Sequence, residues 1–404
     1  MRLTWTTWKL VESPAVIFVI AVGMRLWTAS QVLPENFYRY NEPSRIAWAL
    51  VSGHGYSSPW PNTPLLATAQ QPPVYPLLLA AIFRVSGAYS ISSLWTAVAL
   101  NAIFAGLTAI AILRIGVTAF GTPVGILAAW VWACWLYEAA VCIRLWESAL
   151  SALWLSISLL FLPAIAASPR ASRWLAFGLL AGVAGLTNTT LLAVFPFLWL
   201  WLWISCRSHG RSCNRLLLIS VAMCLLVLTP WTIRNYVVFH RLIPMRDNFG
   251  LEFWGGNHDV TNRNDFPLFN PAEYNRLGEI RFMESKLHDG LQFVRQHPRQ
   301  FWRLTLGRVR LFWTEPEGSA WLWISLLAWL GVFVALRRKG IEAVPYLAVL
   351  LTFPPVYYIT HTFPTYRHPI EPELLVLAAY ATVSVAKMFA THLSRKQIGN
   401  RLQP

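Results

Sequence analysis

The chain has 404 residues, 56% of them hydrophobic and only 13% charged, where a soluble domain carries about a quarter. That composition excludes a soluble globule and leaves a polytopic membrane protein. The formal net charge of +15 would suit nucleic acid, but Lys and Arg fall mostly in short gaps between apolar runs, where they orient helices in a bilayer, so nucleic acid is set aside as a partner.

Crossing roughly 30 Å of hydrocarbon takes about 20 apolar residues. Runs of that kind lie near 11–30, 92–113, 121–142, 147–166, 172–188, 189–206, 214–233, 319–336, 342–360 and 369–389. The expected fold is therefore an all-α polytopic membrane protein with about ten transmembrane helices, and roughly nine to twelve as the range. The first run has Arg2 and Lys9 in front of it and no small-residue cleavage site, so it reads as a retained helix with a cytoplasmic N-terminus. Threading onward puts the basic segments "SPRASR", "RSHGRSCNR", "RRK" and "LSRKQIGNR" inside, as the positive-inside rule requires, and makes both termini cytoplasmic. "PPVYPLLLAAIFRVSG" (72–87) is short and opens on two prolines, so it reads as an interfacial or re-entrant helix of the outer side.

Three regions follow: 1–233, a membrane region with an outer loop at 31–91; 234–318, a small extracytoplasmic segment between spans seven and eight; and 319–404, membrane helices with a basic cytoplasmic tail. The five cysteines form no CxxC or Cys/His cluster, and no dedicated metal motif is present, so they read as free thiols.

Along residues 1–246 the only acids are Glu12, Glu35, Glu42, Glu138 and Glu147, and all but Glu12 fall on or near the outer face. A carboxylate at membrane depth costs about 2.5 kcal/mol or more unless it is paired or wet. Glu42 leads as a general base. It is flanked by the Gly53-His54-Gly55 turn and by "QQPPVYP", which brings Gln71 and Tyr75; the competing reading pairs it with Arg45. Glu147 is a second candidate, and Arg144, three residues earlier, would make it a plain ion pair.

After span seven, "TPWTIRNYVVFHRLIPMRDNFGLEFWGGN" places Arg234 at the outer interface, as an anchor or a phosphate contact. Trp254 and Asn257 within "FWGGN" suit a sugar platform or a tight turn. Between spans nine and ten, "THTFPTYRHPIEPELL" offers Tyr366, Arg367 and His368 for an anionic phosphate, with an Arg367–Glu371 pair at helical spacing as the alternative. The four patches converge on one side of the bilayer and fit a site joining a lipid phosphate to a polar molecule.

In this order "RIAWALVSGHGYSSPW", "QPPVYPLLLAAIFRVSG", "RLWESALSALWLSISLLF", "GLTNTTLLAVFPFL", "TPWTIRNYVVFHRLIPMRDNFGLEFWGGN", "HPRQFWRLTLGRVRLFW" and "YRHPIEPELLVLAAYA" resemble the bacterial integral-membrane glycosyltransferases of the GT-C superfamily. The likeness is to the branch of protein O-mannosyltransferases and aminoarabinose transferases and covers roughly residues 10–390. It implies an inner-membrane enzyme that moves a sugar from a polyprenyl-phosphate donor to a glycan, lipid or protein acceptor on the extracytoplasmic face. Inversion and a carboxylate base in the first outer loop are implied with it. Relatives often carry Asp or Asp-Glu there, where this chain has Arg39, Tyr40 and Asn41 before Glu42. By the same resemblance Glu147 matches an acidic position at the start of the fourth span. The expected roles are Glu42 and Glu147 in catalysis; Arg367, Arg234, His368 and Tyr366 on the donor phosphate; and His54, Gln71, Tyr75, Trp254 and Asn257 on acceptor or sugar. No cofactor is required, although a divalent metal ion between Glu42 and Glu147 fits the pattern. The rival readings are a transporter or flippase of lipid-linked saccharides and an inactive scaffold relative; one-sided charge and the lack of an internal repeat favour the enzyme.

Overall fold

The computed structural model describes residues 10–32, 41–259, 270–314 and 320–401. Arg2, Lys9, Glu35, Arg39 and Tyr40 lie outside the described residues, as does most of the polar turn region after Asn257. The described residues are helical, with no strand and one isolated bridge between Ser57 and Ala67. An integral membrane protein, all-α and polytopic, is what forms.

Long apolar helices build the bundle: α1 (Pro14–Val32), α4 (Ile91–Phe120), α7 (Ser148–Ala167), α10 (Asn214–Phe239), α15 (Trp321–Lys339) and α18 (Glu371–Arg401), together with α9 (Phe195–Ser208), which a 3-10 turn before it extends to a 20-residue stretch, Thr189–Ser208. Shorter helices fill in around them: α2 (Glu42–Val51), α3 (Val74–Ser86), α5 (Thr122–Cys134), α6 (Leu136–Cys142), α8 (Ala171–Thr187), α11 (Phe249–Gly256), α12 (Pro271–Leu277), α13 (Glu279–Gln296), α14 (Pro298–Thr314), α16 (Val344–Thr352) and α17 (Pro355–Ile359). By length and apolarity seven stretches can cross a membrane, or eight if the bent pair α5–α6 is one span. The difference from ten has local causes. The α8 helix is only 17 residues long, and the runs near 319–336 and 342–360 join through a 3-10 turn into one 39-residue stretch, Trp321–Ile359. At 13 residues α3 is about 20 Å long, too short to cross.

The run near 121–142 is broken rather than continuous, α5 and α6 meeting at 63° around Trp135. A break inside apolar surroundings strands helix-end carbonyls. Arg25, fully buried, supplies the donors: its guanidinium bonds the carbonyls of Ala133 (2.8 Å) and Trp132 (2.9 Å), a cation set at a helix C-terminus.

One apolar core joins α1, α4, α5, α7, α8, α9, α15, α16 and α18, with Trp132 and Trp174 fully buried in it. Small residues let the helices approach closely. A Cβ on Gly331 of α15 would collide with the backbone carbonyl of Leu377 in α18. Gly331→Ala is therefore expected to force these helices apart and cost about 1–3 kcal/mol, read as a lower unfolding midpoint in detergent.

The two ends of the bundle differ. At one end Arg211 bonds the Ala167 carbonyl (2.9 Å) and Trp201 bonds that of Ile341 (2.6 Å), which gathers the basic segments. At the other end, the segment around Ala69 ties the first long loop to the polar segment after α10: Asp247 N donates to Ala69 O (2.9 Å), and Glu279 Oε1 of α13 accepts from Ala69 N (2.6 Å).

Candidate functional site

Glu42 is the first residue of α2, with extended Asn41 before it and Pro43 after it. Proline suits this first turn, where its missing N–H costs nothing, and a carboxylate there complements the helix dipole. Gln71, buried, donates its side-chain amide to Glu42 Oε2. The next residue up the same segment works the other way: Gln70 O accepts from Arg246 Nε (3.0 Å). One short extended stretch thus holds a carboxylate on one residue and a guanidinium on its neighbour. Burial, helped by the nearby Glu252, raises Glu42 to about 7; Arg246 and the Gln71 bond oppose the rise, and Glu147 adds to it. Arg45 forms no ion pair with it among the described residues.

Glu147 stands at the N-cap of α7 and is 6% exposed. Its carbonyl accepts from the backbone N and hydroxyl of Ser151 (both 2.8 Å), which fixes the turn. Burial raises its carboxyl to about 7 as well, with Arg246 pulling the other way. The expected Arg144–Glu147 pair does not form; Arg144 is exposed.

Sequence reasoning quoted the segment bearing Arg246 and Glu252 without choosing either residue. Arg246 follows α10, and its Nη2 lies 3.9 Å from Glu252 Oε1. The side chains of Arg246 and Glu252 are 21% and 29% exposed, so both reach solvent. Beyond its bond to Gln70, the guanidinium makes no hydrogen bond among the described residues. Glu252 Oε2 lies 3.1 Å from His361 Nδ1, and His361 Nε2 lies 2.9 Å from the hydroxyl of Tyr366. Glu42, Glu147 and Glu252 therefore share one arginine at one end of the bundle, with His361 and Tyr366 continuing the polar chain. This arrangement can accept a proton, hold an anionic group against Arg246 and orient polar ligand atoms.

Other expected residues are used differently. Arg367 is fully buried and makes the competing ion pair: Nε to Glu371 Oε2 (2.6 Å) and Nη2 to Glu371 Oε1 (3.1 Å), with Nη1 on Ser325 Oγ (2.7 Å) and Trp313 O (3.3 Å). His368, also buried, pairs through Nδ1 with Glu138, which accepts a second bond from Trp321 Nε1 (3.2 Å). These pairs anchor the Pro364–Ile370 turn that carries Tyr366, and both Arg367 and His368 are fully buried. Arg234 spends its guanidinium on the carbonyls of Thr68 (2.7 Å) and Tyr56 (3.1 Å) and lies over the Tyr56 and Trp231 rings, so it braces the loop.

Tyr75 exchanges hydrogen bonds with Asn101 inside the core (3.1 and 2.9 Å). Asn257, fully buried, bonds the carbonyls of Phe253 (2.7 Å) and Ile359 (2.8 Å) and accepts from Arg308 (3.1 Å). Trp254 faces the Lys286 ammonium at 4.4 Å. His54 sits exposed in a turn whose flanking glycines, at φ +83° and +69°, adopt the left-handed backbone open to glycine. Of the sugar-contact set, Gln71 alone joins Glu42 directly.

Among the described residues no group of three or more His, Cys, Asp or Glu side chains converges as a metal site requires. The positive charge beside Glu42 and Glu147 is instead the Arg246 guanidinium, so no step is assigned to a divalent ion.

No protein-family model and no curated relative matches the chain. Solved structures do. ArnT from Cupriavidus metallidurans, crystallised with undecaprenyl phosphate, is 16% identical over 94% of this chain and 60% of its own, with a TM-score of 0.54. AglB, an archaeal oligosaccharyltransferase from Archaeoglobus fulgidus solved with an inhibitory peptide and a dolichol-phosphate, is 14% identical over 99% and 53%, with a TM-score of 0.56. Another structure of the A. fulgidus oligosaccharyltransferase, with Zn and sulfate, gives 12%, 95%, 50% and 0.57. The chain thus spans about half to three fifths of the length of these proteins, and what it shares with them is the GT-C fold, as the sequence resemblance implied.

Proposed function

We propose that the protein is a membrane glycosyltransferase that moves a sugar from a polyprenyl-phosphate donor to an acceptor hydroxyl. The observation that carries this is the cluster of Glu42, Glu147 and Glu252 around Arg246, at one end of a bundle whose fold is shared with proteins solved with undecaprenyl phosphate and dolichol-phosphate.

In this mechanism the acceptor oxygen attacks the anomeric carbon and gives its proton to the Glu42 carboxylate. The carbon–oxygen bond to phosphate breaks, and its electron pair leaves with the phosphate. Arg246 faces the charge that develops there, and its planar fork matches a phosphate. A single displacement of this kind inverts the anomeric centre. Glu147, close by, orients the acceptor. Tyr366 and the Gln71 amide complete the site, Gln71 by fixing the Glu42 carboxylate. The short basic segments collect at the opposite end, which by the positive-inside rule supports an extracytoplasmic site.

Purified protein in a bilayer, given a panel of polyprenyl-phosphate sugars, is expected to transfer or slowly hydrolyse at least one. Arg246→Gln should lower kcat/KM for that donor by about 10²–10³-fold, the usual loss of a charge-stabilising donor. An unchanged kcat/KM would remove Arg246 from the phosphate, and no turnover with any donor and acceptor would count against the transferase itself.

A further inference from the structure

Arg246, Glu252, His361 and Tyr366 follow one another through the site, with steps of 3.9, 3.1 and 2.9 Å. The two ends of this polar chain differ. Arg246 is in contact with solvent, whereas His361 is 6% exposed and enclosed by Phe363 and Tyr366, whose ring centroids lie 5.1 and 5.4 Å away. Tyr366 is half-buried, and its ring is pinned by Tyr357 at 4.9 Å and Phe363 at 5.5 Å, so only its hydroxyl hydrogen is free to turn.

We propose that this chain couples phosphate binding to protonation: an anion seated on Arg246 releases Glu252 to His361, which takes up a proton and turns the Tyr366 hydroxyl toward the phosphate. It rests on the reading of Arg246 as the phosphate contact. The charged groups around His361 make the logic explicit. Glu252, from α11, favours the imidazolium; Arg246, from the preceding loop, and Arg308, from α14, oppose it, as does burial, which outweighs Glu252 and holds His361 below its ordinary value. Neutral imidazole can accept the Tyr366 hydrogen at Nε2. An anion on Arg246 cancels one of the opposing cations and leaves Glu252 to His361 at Oε2 and to the Asn248 amide, which donates to Oε1 (2.5 Å). The imidazolium that results must donate at both nitrogens, to Glu252 and to the Tyr366 oxygen. Tyr366 then has its own hydrogen to give. The proton comes from solvent, and no bond other than N–H forms or breaks.

The test is the pH dependence of affinity for a short prenyl methyl phosphodiester, a probe whose single charge does not titrate near neutrality, measured by calorimetry on the protein in detergent between about pH 6 and 8. One proton taken up per ligand lowers Kd about tenfold for each unit of falling pH. Glu42 and Glu147 also respond to an anion, so the readout is the difference between proteins. His361→Gln is expected to bind at pH 8 and to lose up to one unit of slope in log Kd against pH. Glu252→Gln keeps the imidazole but removes the carboxylate, and should flatten the line in the same way; it decides the matter if His361→Gln does not fold. Tyr366→Phe should keep the slope and weaken binding across the range. Equal slopes in wild type and both slope variants would overturn the coupling while leaving the phosphate reading intact. Absence of binding in the wild type would overturn both.

Discussion

Replacing Glu42 by glutamine is expected to slow sugar transfer by about 10²–10⁴-fold while donor binding survives, because the amide keeps the shape of the side chain and cannot take a proton. Gln71 already donates to Glu42 Oε2, so the amide oxygen can accept the same bond and the loop need not move. The pH profile carries a second, independent signature. With Glu42 raised to about 7 by burial, the base is mostly protonated below that pH and free above it, so the wild-type rate should climb as pH rises through neutrality. Residual activity in Glu42→Gln should lose that limb. If the variant transfers sugar at the wild-type rate, Glu42 is only a half-buried carboxylate and Glu147, raised to a similar value, becomes the candidate base.

Arg367→Ala is expected to fail for a different reason. Its guanidinium is bound on both edges, by Glu371 on one side and by Ser325 and Trp313 on the other, and the Trp321 ring lies 4.7 Å from its centre. Truncation strands Glu371, itself fully buried, with a charge and no counter-ion, a loss of about 3–5 kcal/mol for a broken buried pair. The unfolding midpoint in detergent should drop steeply, and the double variant Arg367→Ala/Glu371→Ala should recover part of the drop, since it removes the orphaned charge. A stable Arg367→Ala protein with weakened donor binding would reverse this and return Arg367 to the phosphate.

The contrast between these two residues shows what the chain discloses on its own. Apolar run length revealed the membrane bundle. It could not show the break at Trp135, because the carbonyls freed there are satisfied by Arg25, more than a hundred residues earlier. Glu42 and Gln71 drew notice because few acids occur in the first half of the chain and the amide-rich "QQPPVYP" stands out beside them, and the structure puts the two in contact. Arg367 was read toward a phosphate, while its helical spacing from Glu371 was also visible, and the structure forms that ion pair. Arg246, Glu252 and His361 were passed over because nothing in their spacing announces a contact; they meet only when the loop after α10 folds over the segment before α18. One hint was present. "MRDNFGLEF" and "THTFPTY" set ionisable residues among aromatic ones at ends of apolar runs, where an unmatched charge is costly.

The separation of these contacts along the chain sets an order of events during synthesis. Glu42 and Gln71 emerge early, Arg246 and Glu252 midway, and His361 and Tyr366 only as the last apolar stretch is being made. A nascent chain already threaded through the membrane therefore has Glu42 and Gln71 and lacks the residues on the other side of the site. On the proposed function, a polypeptide stalled before the final helix docks would occupy the bilayer without acting on its lipids.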